Sequence, residues 1–219
     1  MKKAVDQSRS VWMDTSKLLL ESKLTEKTTS DVCVVGAGVA GMSTAYVLAR
    51  EGMSVVVLDD GPIGGGMTAR TTAHLTNALD NRYFEIERLH GKEGARVAAA
   101  SHTAAINAIE AIVKREAIRC EFARLDGFLF VPPRASTKVL DDELAAVHRA
   151  GLTDIEKVGC VGPRIQAQEP LTPSCIRAAS SAPLQWRRAF GSTGGTHKTP
   201  AIKAWFARNP RFHVHFTPT

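Results

Sequence analysis

Apolar residues along this chain are grouped in short blocks whose spacing predicts elements. Residues 1–30 are polar apart from Leu18–Leu20 and read as a surface-lying arm. Asp31–Val35 (D-V-C-V-V) is a brief apolar run closed by Gly36, the pattern of a strand buried on both faces. Residues 40–51 are rich in Ala, Met, Val and Leu and predict a helix, with Gly52 placed to end it. Ser54–Leu58 (S-V-V-V-L) is a second buried strand. Strand, helix and strand in so few residues predict a βαβ unit with parallel strands and a right-handed crossover.

Beyond it, Gly61–Gly66 forms a glycine-rich loop and Thr68–Thr76 a threonine-rich stretch. Helical material is expected from Tyr83 to about Ala117. Val97, Ser101, Ala104, Ala105, Ala108, Ile109, Ile112 and Val113 recur at helical spacing and predict one long amphipathic helix. Glu121–Leu125 and Phe128–Val131, joined through Asp126-Gly127, carry the signal of a β-hairpin, which Pro132-Pro133 stops. Lys138–Ala150 predicts another amphipathic helix, with Gly151 past its end. After Gly159 the periodicity fades, and residues 172–195 show neither a helical nor a strand repeat.

The first candidate chemistry lies between the two predicted strands. Gly36-Ala37-Gly38-Val39-Ala40-Gly41 is a G-x-G-x-x-G directly after a strand and opening a helix. Gly36 permits the tight turn, Gly38 lets a pyrophosphate approach the backbone, and Gly41 lets helix and strand pack closely. The amides and positive dipole at the helix start favour phosphate. The second strand runs into Asp59, eighteen residues beyond Gly41. A carboxylate there accepts hydrogen bonds from ribose hydroxyls and repels a 2′-phosphate, so the constellation points to FAD or NAD over NADP.

Composition narrows the class. Of 219 residues, 44% are hydrophobic and 23% charged, ordinary globular values that argue against wholesale disorder. No apolar run approaches the roughly 18 residues of a membrane span. The basic start Met1-Lys2-Lys3 is followed by polar residues where a signal peptide would be apolar, so a cytoplasmic location is expected. Cys33, Cys120, Cys160 and Cys175 show no metal-ligand spacing; Cys33 reads as a buried strand thiol, and no metal site is expected. The net charge of +6 is local in origin. All 22 acidic residues lie at or before Glu169, and Arg177, Arg187, Arg188, Lys198, Lys203, Arg208 and Arg211 follow with no counter-charge. Such asymmetry suggests a basic tail or a chain whose ends have different histories.

Residues after Asp59 separate FAD from NAD by resemblance. Gly64-Gly65-Gly66-Met67-Thr68-Ala69-Arg70-Thr71-Thr72-Ala73-His74, together with the glycine fingerprint, resembles the FAD-dependent amine and amino-acid oxidoreductases of the D-amino-acid-oxidase superfamily. The continuation R-T-T-A-H-L-T-N-A-L-D-N-R-Y, then E-R-L-H-G and R-L-D-G-F-L-F, is similar to a bacterial subgroup often fused to a Rieske iron–sulfur domain. The likeness runs from about residue 10 to about residue 170. It implies an α/β fold, a Rossmann-like FAD-binding βαβ unit with helical and β-hairpin insertions, truncated relative to chains about twice as long. It also implies that Gly36, Gly38, Gly41 and Asp59 serve the ADP part, that Asp60 also binds the cofactor, and that Thr68, Arg70, Thr71 and Thr72 approach the pyrophosphate, ribityl chain and flavin ring. The implied substrate is a small amine or amino acid, oxidised at a C–N bond. No catalytic acid or base can be named.

His74 has two readings. Some amine-oxidising relatives attach flavin to a histidine in a similar Thr-Thr-x-His setting; the local reading is a hydrogen-bonded loop histidine. His90, His102 and His148 fall at helical positions and read as surface or partly packed. Asp141-Asp142-Glu143 reads as the exposed first turns of a helix.

From Gly195 to Thr219 the chain resembles mariner-like DDE transposases of bacterial insertion sequences, in which a T-H-K helix precedes a strand of the form F-H-x-H-F-T-P. Two-metal phosphoryl transfer needs clustered carboxylates, and this tail has none; Ser192-Thr193-Gly194 stands where that family places an acidic residue. The organisation expected is an arm at 1–30, an oxidoreductase portion at 31–170, an irregular junction at 171–194 and a transposase-like remnant at 195–219. The parallel sheet is expected to lack its later strands and so to expose an apolar edge, and the tail is expected to pack poorly on residues 31–160. Specific nucleic-acid binding is not expected. A weakly active or inactive FAD-dependent oxidoreductase is the leading expectation. A non-functional fusion fragment and an NAD-dependent Rossmann dehydrogenase are the alternatives.

Overall fold

The computed structural model describes residues 24–71, 74–118, 120, 122–131, 136–159 and 174–178, and the backbone of 212–216. Two compact units emerge. The first takes residues 1–72, 113–121 and 186–219; the second takes 73–112 and 122–185.

In the first unit, β1 (Val32–Val35), helix α1 (Val39–Arg50) and β2 (Val55–Asp59) form the expected βαβ unit, with β1 and β2 parallel and Cys33 opposite Val56. The α1 end is closed as a Schellman motif: Gly52 N–H donates to Ala49 O and Met53 N–H to Leu48 O. Asp31 accepts from the Ser54 N–H and hydroxyl at 2.8 and 2.7 Å, clamping the two strand starts together. Ala37, Ala45, Val55, Val57 and Ile63 make the core, with Val34, Met42 and Tyr46 packed on it.

Two expectations about this sheet change. β1 is not buried on both faces: Cys33 is exposed and Val35 is 83% exposed, whereas Val32 and Val34, which point to the other face, are half-buried and Val34 packs on the core. Nor is the tail without a partner. β6 (Phe212–Phe216) pairs in parallel with β2 over its whole length, from Val55 opposite Phe212 to Asp59 opposite Phe216. That ladder pairs the β2 side of the sheet, while β1 has no further partner strand among the described residues.

The second unit is built on helices α2 (Tyr83–Arg115, its last three residues in the first unit) and α3 (Lys138–Arg149) and a small antiparallel sheet. Its strands are β3 (Gly127–Leu129), β4 (Ile155–Gly159) and β5 (Ser174–Ala178), ordered β3-β5-β4. The expected hairpin is absent. Residues 122–126 carry no strand, and β3 pairs with β5, Leu129 opposite Ile176. β5 itself falls in the stretch where the sequence shows no repeat. Its central position supplies the order that its composition does not: Cys175, Ile176 and Ala178 are buried between two partners.

α2 is two helices, not one. Gly91 sits at φ 72°, ψ 172°, outside helical space and in a region open to glycine, and breaks the run. The buried face also differs from the expected stripe. Ala95, Ala99 and Ile106 face the core, whereas Val97 is 55% exposed. The helix is alanine-rich on several faces, so periodicity alone does not distinguish them; small side chains at 95 and 99 allow close approach to the core. Tyr83 and Leu140 are the largest fully buried side chains of this unit, joined by Ala146, Val147, Ile155 and Ile176.

Glu143 departs most from its expected place. It is 5% exposed, and its carboxylate accepts the Tyr83 N–H at 3.0 Å and the Phe84 N–H at 3.3 Å. First-turn amides of a helix lack intrahelical acceptors, and here a carboxylate from α3 supplies them and meets the positive dipole end. Tyr83 in turn donates its hydroxyl to Asn77 O at 2.7 Å. Burial, with the Glu143 charge beside it, pushes the Tyr83 phenol up to about 12. Asp141 remains outside and pairs with Lys157 of β4; Arg149 of α3 pairs with Glu87 of α2. Pairs this exposed contribute little to stability. Among the described residues, no helix is long and apolar enough to cross a membrane.

Candidate dinucleotide site

The candidate site lies at the carboxyl ends of β1 and β2. Gly36 takes φ +104°, which an L side chain rarely adopts, and its N–H donates to Leu58 O at 2.7 Å, so the chain turns off β1 while still tied to β2. A Cβ on Gly41 would stand 1.9 Å from Gly36 O and 3.3 Å from Val34 Cγ1. The third glycine is therefore required by contact between helix and turn. A Cβ on Gly38 would meet Thr68 Oγ1 at 3.4 Å, ordinary contact, so that position tolerates a methyl but not bulk.

Asp59 reaches from the end of β2 back to the glycine turn. One oxygen accepts the Ala37 N–H at 2.5 Å and the other the Gly61 N–H at 2.8 Å. A carboxylate accepts about four hydrogen bonds, so after these two it keeps acceptor capacity for ribose hydroxyls. Asp60, next along, is exposed.

The second glycine loop folds over the first. Gly64 N–H donates to Ala37 O at 2.9 Å, Ile63 is buried, and a short 3-10 turn follows at Met67–Arg70. That turn brings Thr68 Oγ1 to the Val39 N–H at 3.0 Å, on the first turn of α1. A hydroxyl that accepts there retains its own proton to donate outward. Arg70 is exposed and donates to Gly66 O at 3.2 Å; Thr71 is exposed, and Thr72 falls outside the described residues.

Gly36, Gly38, Gly41, Asp59 and Thr68 are thus gathered in one place, with Arg70 anchored to the same loop. His74 belongs to the second unit. It is exposed and lines a cavity of about 350 Å³ with Leu75, Leu79, His102 and Ile106. Two participants carry no side-chain signature in the sequence: the Ala37 peptide, which donates to Asp59 and accepts from Gly64, and the Gly61 N–H. Backbone groups of this kind are foreseeable only from the closeness of the two glycine loops.

The donor set suits the adenosine diphosphate end of a dinucleotide. Helix-start amides and the Thr68 hydroxyl can meet phosphate oxygens, and the remaining lone pairs of Asp59 can meet a ribose.

Comparison with known proteins agrees with this chemistry. Residues 31–202 match the family described as FAD dependent oxidoreductase (DAO). The chain belongs to that family, whose members use FAD. It is 30% identical over 149 residues to YhfW of Bacillus subtilis, named as a Rieske 2Fe-2S iron-sulfur protein, covering 68% of this chain and 29% of that protein. It is 37% identical over 108 residues to the gamma-glutamylputrescine oxidoreductase of Escherichia coli, covering 49% of this chain and 25% of that one. Among solved structures, the L-amino acid deaminase of Proteus myxofaciens superposes with a TM-score of 0.64 at 16% identity, covering 95% of this chain and 42% of that chain. The chain therefore spans between a quarter and less than half of these proteins.

Proposed function

We propose that this chain forms the FAD-binding portion of an oxidoreductase that oxidises a C–N bond of a small amine or amino acid. The observation that carries the reading is the Asp59 carboxylate, bonded at once to the Ala37 and Gly61 amides beside the glycine turn. This fixes an acceptor next to the amides that would receive the pyrophosphate.

Gly36, Gly38 and Gly41 shape the turn, Thr68 donates its hydroxyl proton to a phosphate oxygen, and Asp59 orients the ribose. Asp60, Arg70, Thr71, Thr72 and His74 are assigned to the same cofactor by family likeness. When bound, FAD supplies the hydride acceptor. Substrate class is carried over from family likeness, and no residue of this chain is assigned as acid or base.

Titration of the full-length chain with FAD, followed by quenching of flavin fluorescence, tests the reading. Saturable binding that Asp59→Ala weakens about tenfold or more supports it, as expected for loss of charge-assisted bonds worth at least about 1.5 kcal/mol. Binding unaltered in Asp59→Ala would refute the placement of the ribose.

A further inference from the structure

We infer that the cavity of the second unit is a binding site for a small primary amine carrying an apolar group, held by its ammonium at Asp80. The inference does not depend on the dinucleotide reading, because every group it uses belongs to residues 73–112. The cavity, of about 350 Å³, is lined by the loop at 74–80 and by one face of α2. That volume lies toward the small end of small-molecule sites, which begin at about 300 Å³, and suits one ring or a short branched chain. On α2, His102, Ala105, Ile106 and Ile109 recur at spacings of three and four residues and so share a face. The loop is fixed against that helix: Tyr83 donates its hydroxyl to Asn77 O at 2.7 Å, and Asn77 Nδ2 donates to Thr103 Oγ1 at 3.1 Å. The walls are thus held by bonds that need no ligand.

The lining divides by chemistry. Leu79, Ile106 and Ile109 supply an apolar wall, and contact with a hydrocarbon group removes both surfaces from water. The charged and ionisable members are His74, Asp80 and His102, and none has a hydrogen-bond or ion-pair partner among the described residues. Asp80 is the one acid among the described lining residues, and no Lys or Arg is among them. A carboxylate guest therefore meets an uncompensated negative charge, whereas a cation meets an attraction. An ionised carboxylate only accepts hydrogen bonds, and a neutral imidazole accepts at one nitrogen. Asn77, whose chain neighbours on both sides line the cavity, holds a buried Oδ1 that lacks a donor among the described residues. These surroundings are rich in acceptors. An ammonium brings three donors and no acceptor, the complement of such a lining.

Titration of the full-length chain, without FAD, with benzylamine, benzyl alcohol and benzoate tests the site, each followed by saturation-transfer NMR of the ligand. The expected result is that benzylamine binds tightest, with benzyl alcohol and benzoate each weaker by about tenfold or more, as for loss of a charge-assisted bond. Asp80→Asn should weaken benzylamine by about tenfold or more and leave benzyl alcohol unchanged. Ala105→Trp, which fills the cavity from α2, should abolish benzylamine binding. Asp80 and Ala105 are both exposed, so neither variant removes a buried group. The site is overturned if folded protein binds no benzylamine, if benzoate binds as tightly as benzylamine, or if Asp80→Asn leaves benzylamine binding unaltered. Binding retained in Ala105→Trp would put the amine elsewhere and overturn it equally. FAD titration of the same protein reports on the dinucleotide reading alone.

Discussion

The two units of this chain depend on opposite kinds of residue. In the first, the decisive positions are those where a side chain is missing: Gly41 lies so close to Gly36 O that no Cβ fits. In the second, the decisive position holds a charge where apolar packing is the rule, Glu143 at 5% exposure among Tyr83, Leu140 and Ala146. The first arrangement lets the backbone itself become a binding surface. The second spends a carboxylate on joining α3 to the start of α2, which orders a fold, and burial closes that carboxylate's remaining acceptor capacity to solvent.

Replacing Gly41 by Val should have the largest effect, above about 4 kcal/mol, because backbone and not a flexible side chain must move. Hydrogen exchange should show the loss concentrated in β1, α1 and β2. Even loss across both units would show that the Gly41 contact does not act within the first unit alone.

Glu143→Ala comes next, at about 3 kcal/mol, since the Tyr83 and Phe84 amides lose their acceptor in a buried setting. Glu143→Gln, which keeps one acceptor oxygen, should fall between wild type and Ala in chemical denaturation. A Glu143→Ala protein as stable as wild type would show that the carboxylate is incidental.

The smallest effect concerns Tyr83. Its phenol is held up to about 12 against an ordinary value of about 10, so the folded state binds the proton more tightly than the unfolded chain. The resulting stabilisation is fully present below pH 10 and is lost as pH rises from there through about 12. Tyr83→Phe should start about 1 kcal/mol less stable, from loss of the bond to Asn77 O, and lack this alkaline decline. Identical alkaline profiles for the two proteins would place the decline outside Tyr83.

Legibility of the two units in the sequence follows the same division. The βαβ unit was readable because strand, glycine turn, helix, strand and acid follow one another without interruption, and each leaves a local mark. The candidate site shared that advantage as far as Gly36, Gly38, Gly41 and Asp59. Thr68 came only by resemblance, and the peptides of Ala37 and Gly61 were invisible because a backbone amide has no letter of its own.

The second unit was harder. β5 has a mixed composition and is made a strand by β3 and β4, which come from distant parts of the chain. Asp141-Asp142-Glu143 looked uniformly solvated, yet α3 turns its third acid inward toward the amides of a different helix. Cys33 shows the converse error: V-C-V-V predicts burial on both faces, but only the face of Val32 and Val34 is covered, which a local run of apolar letters does not reveal.

The glycine turn and Asp59 are proposed as a site for FAD, and FAD binding by the wild-type chain and by Gly38→Trp, read by flavin absorbance of the protein after gel filtration, tests that proposal directly. A tryptophan at 38 collides with Thr68 Oγ1, 3.4 Å from the first added carbon, and fills the approach to the α1 amides. The expected result is flavin carried by the wild-type chain and none by a Gly38→Trp protein whose far-ultraviolet spectrum is unchanged. Flavin retained equally by both proteins would contradict it.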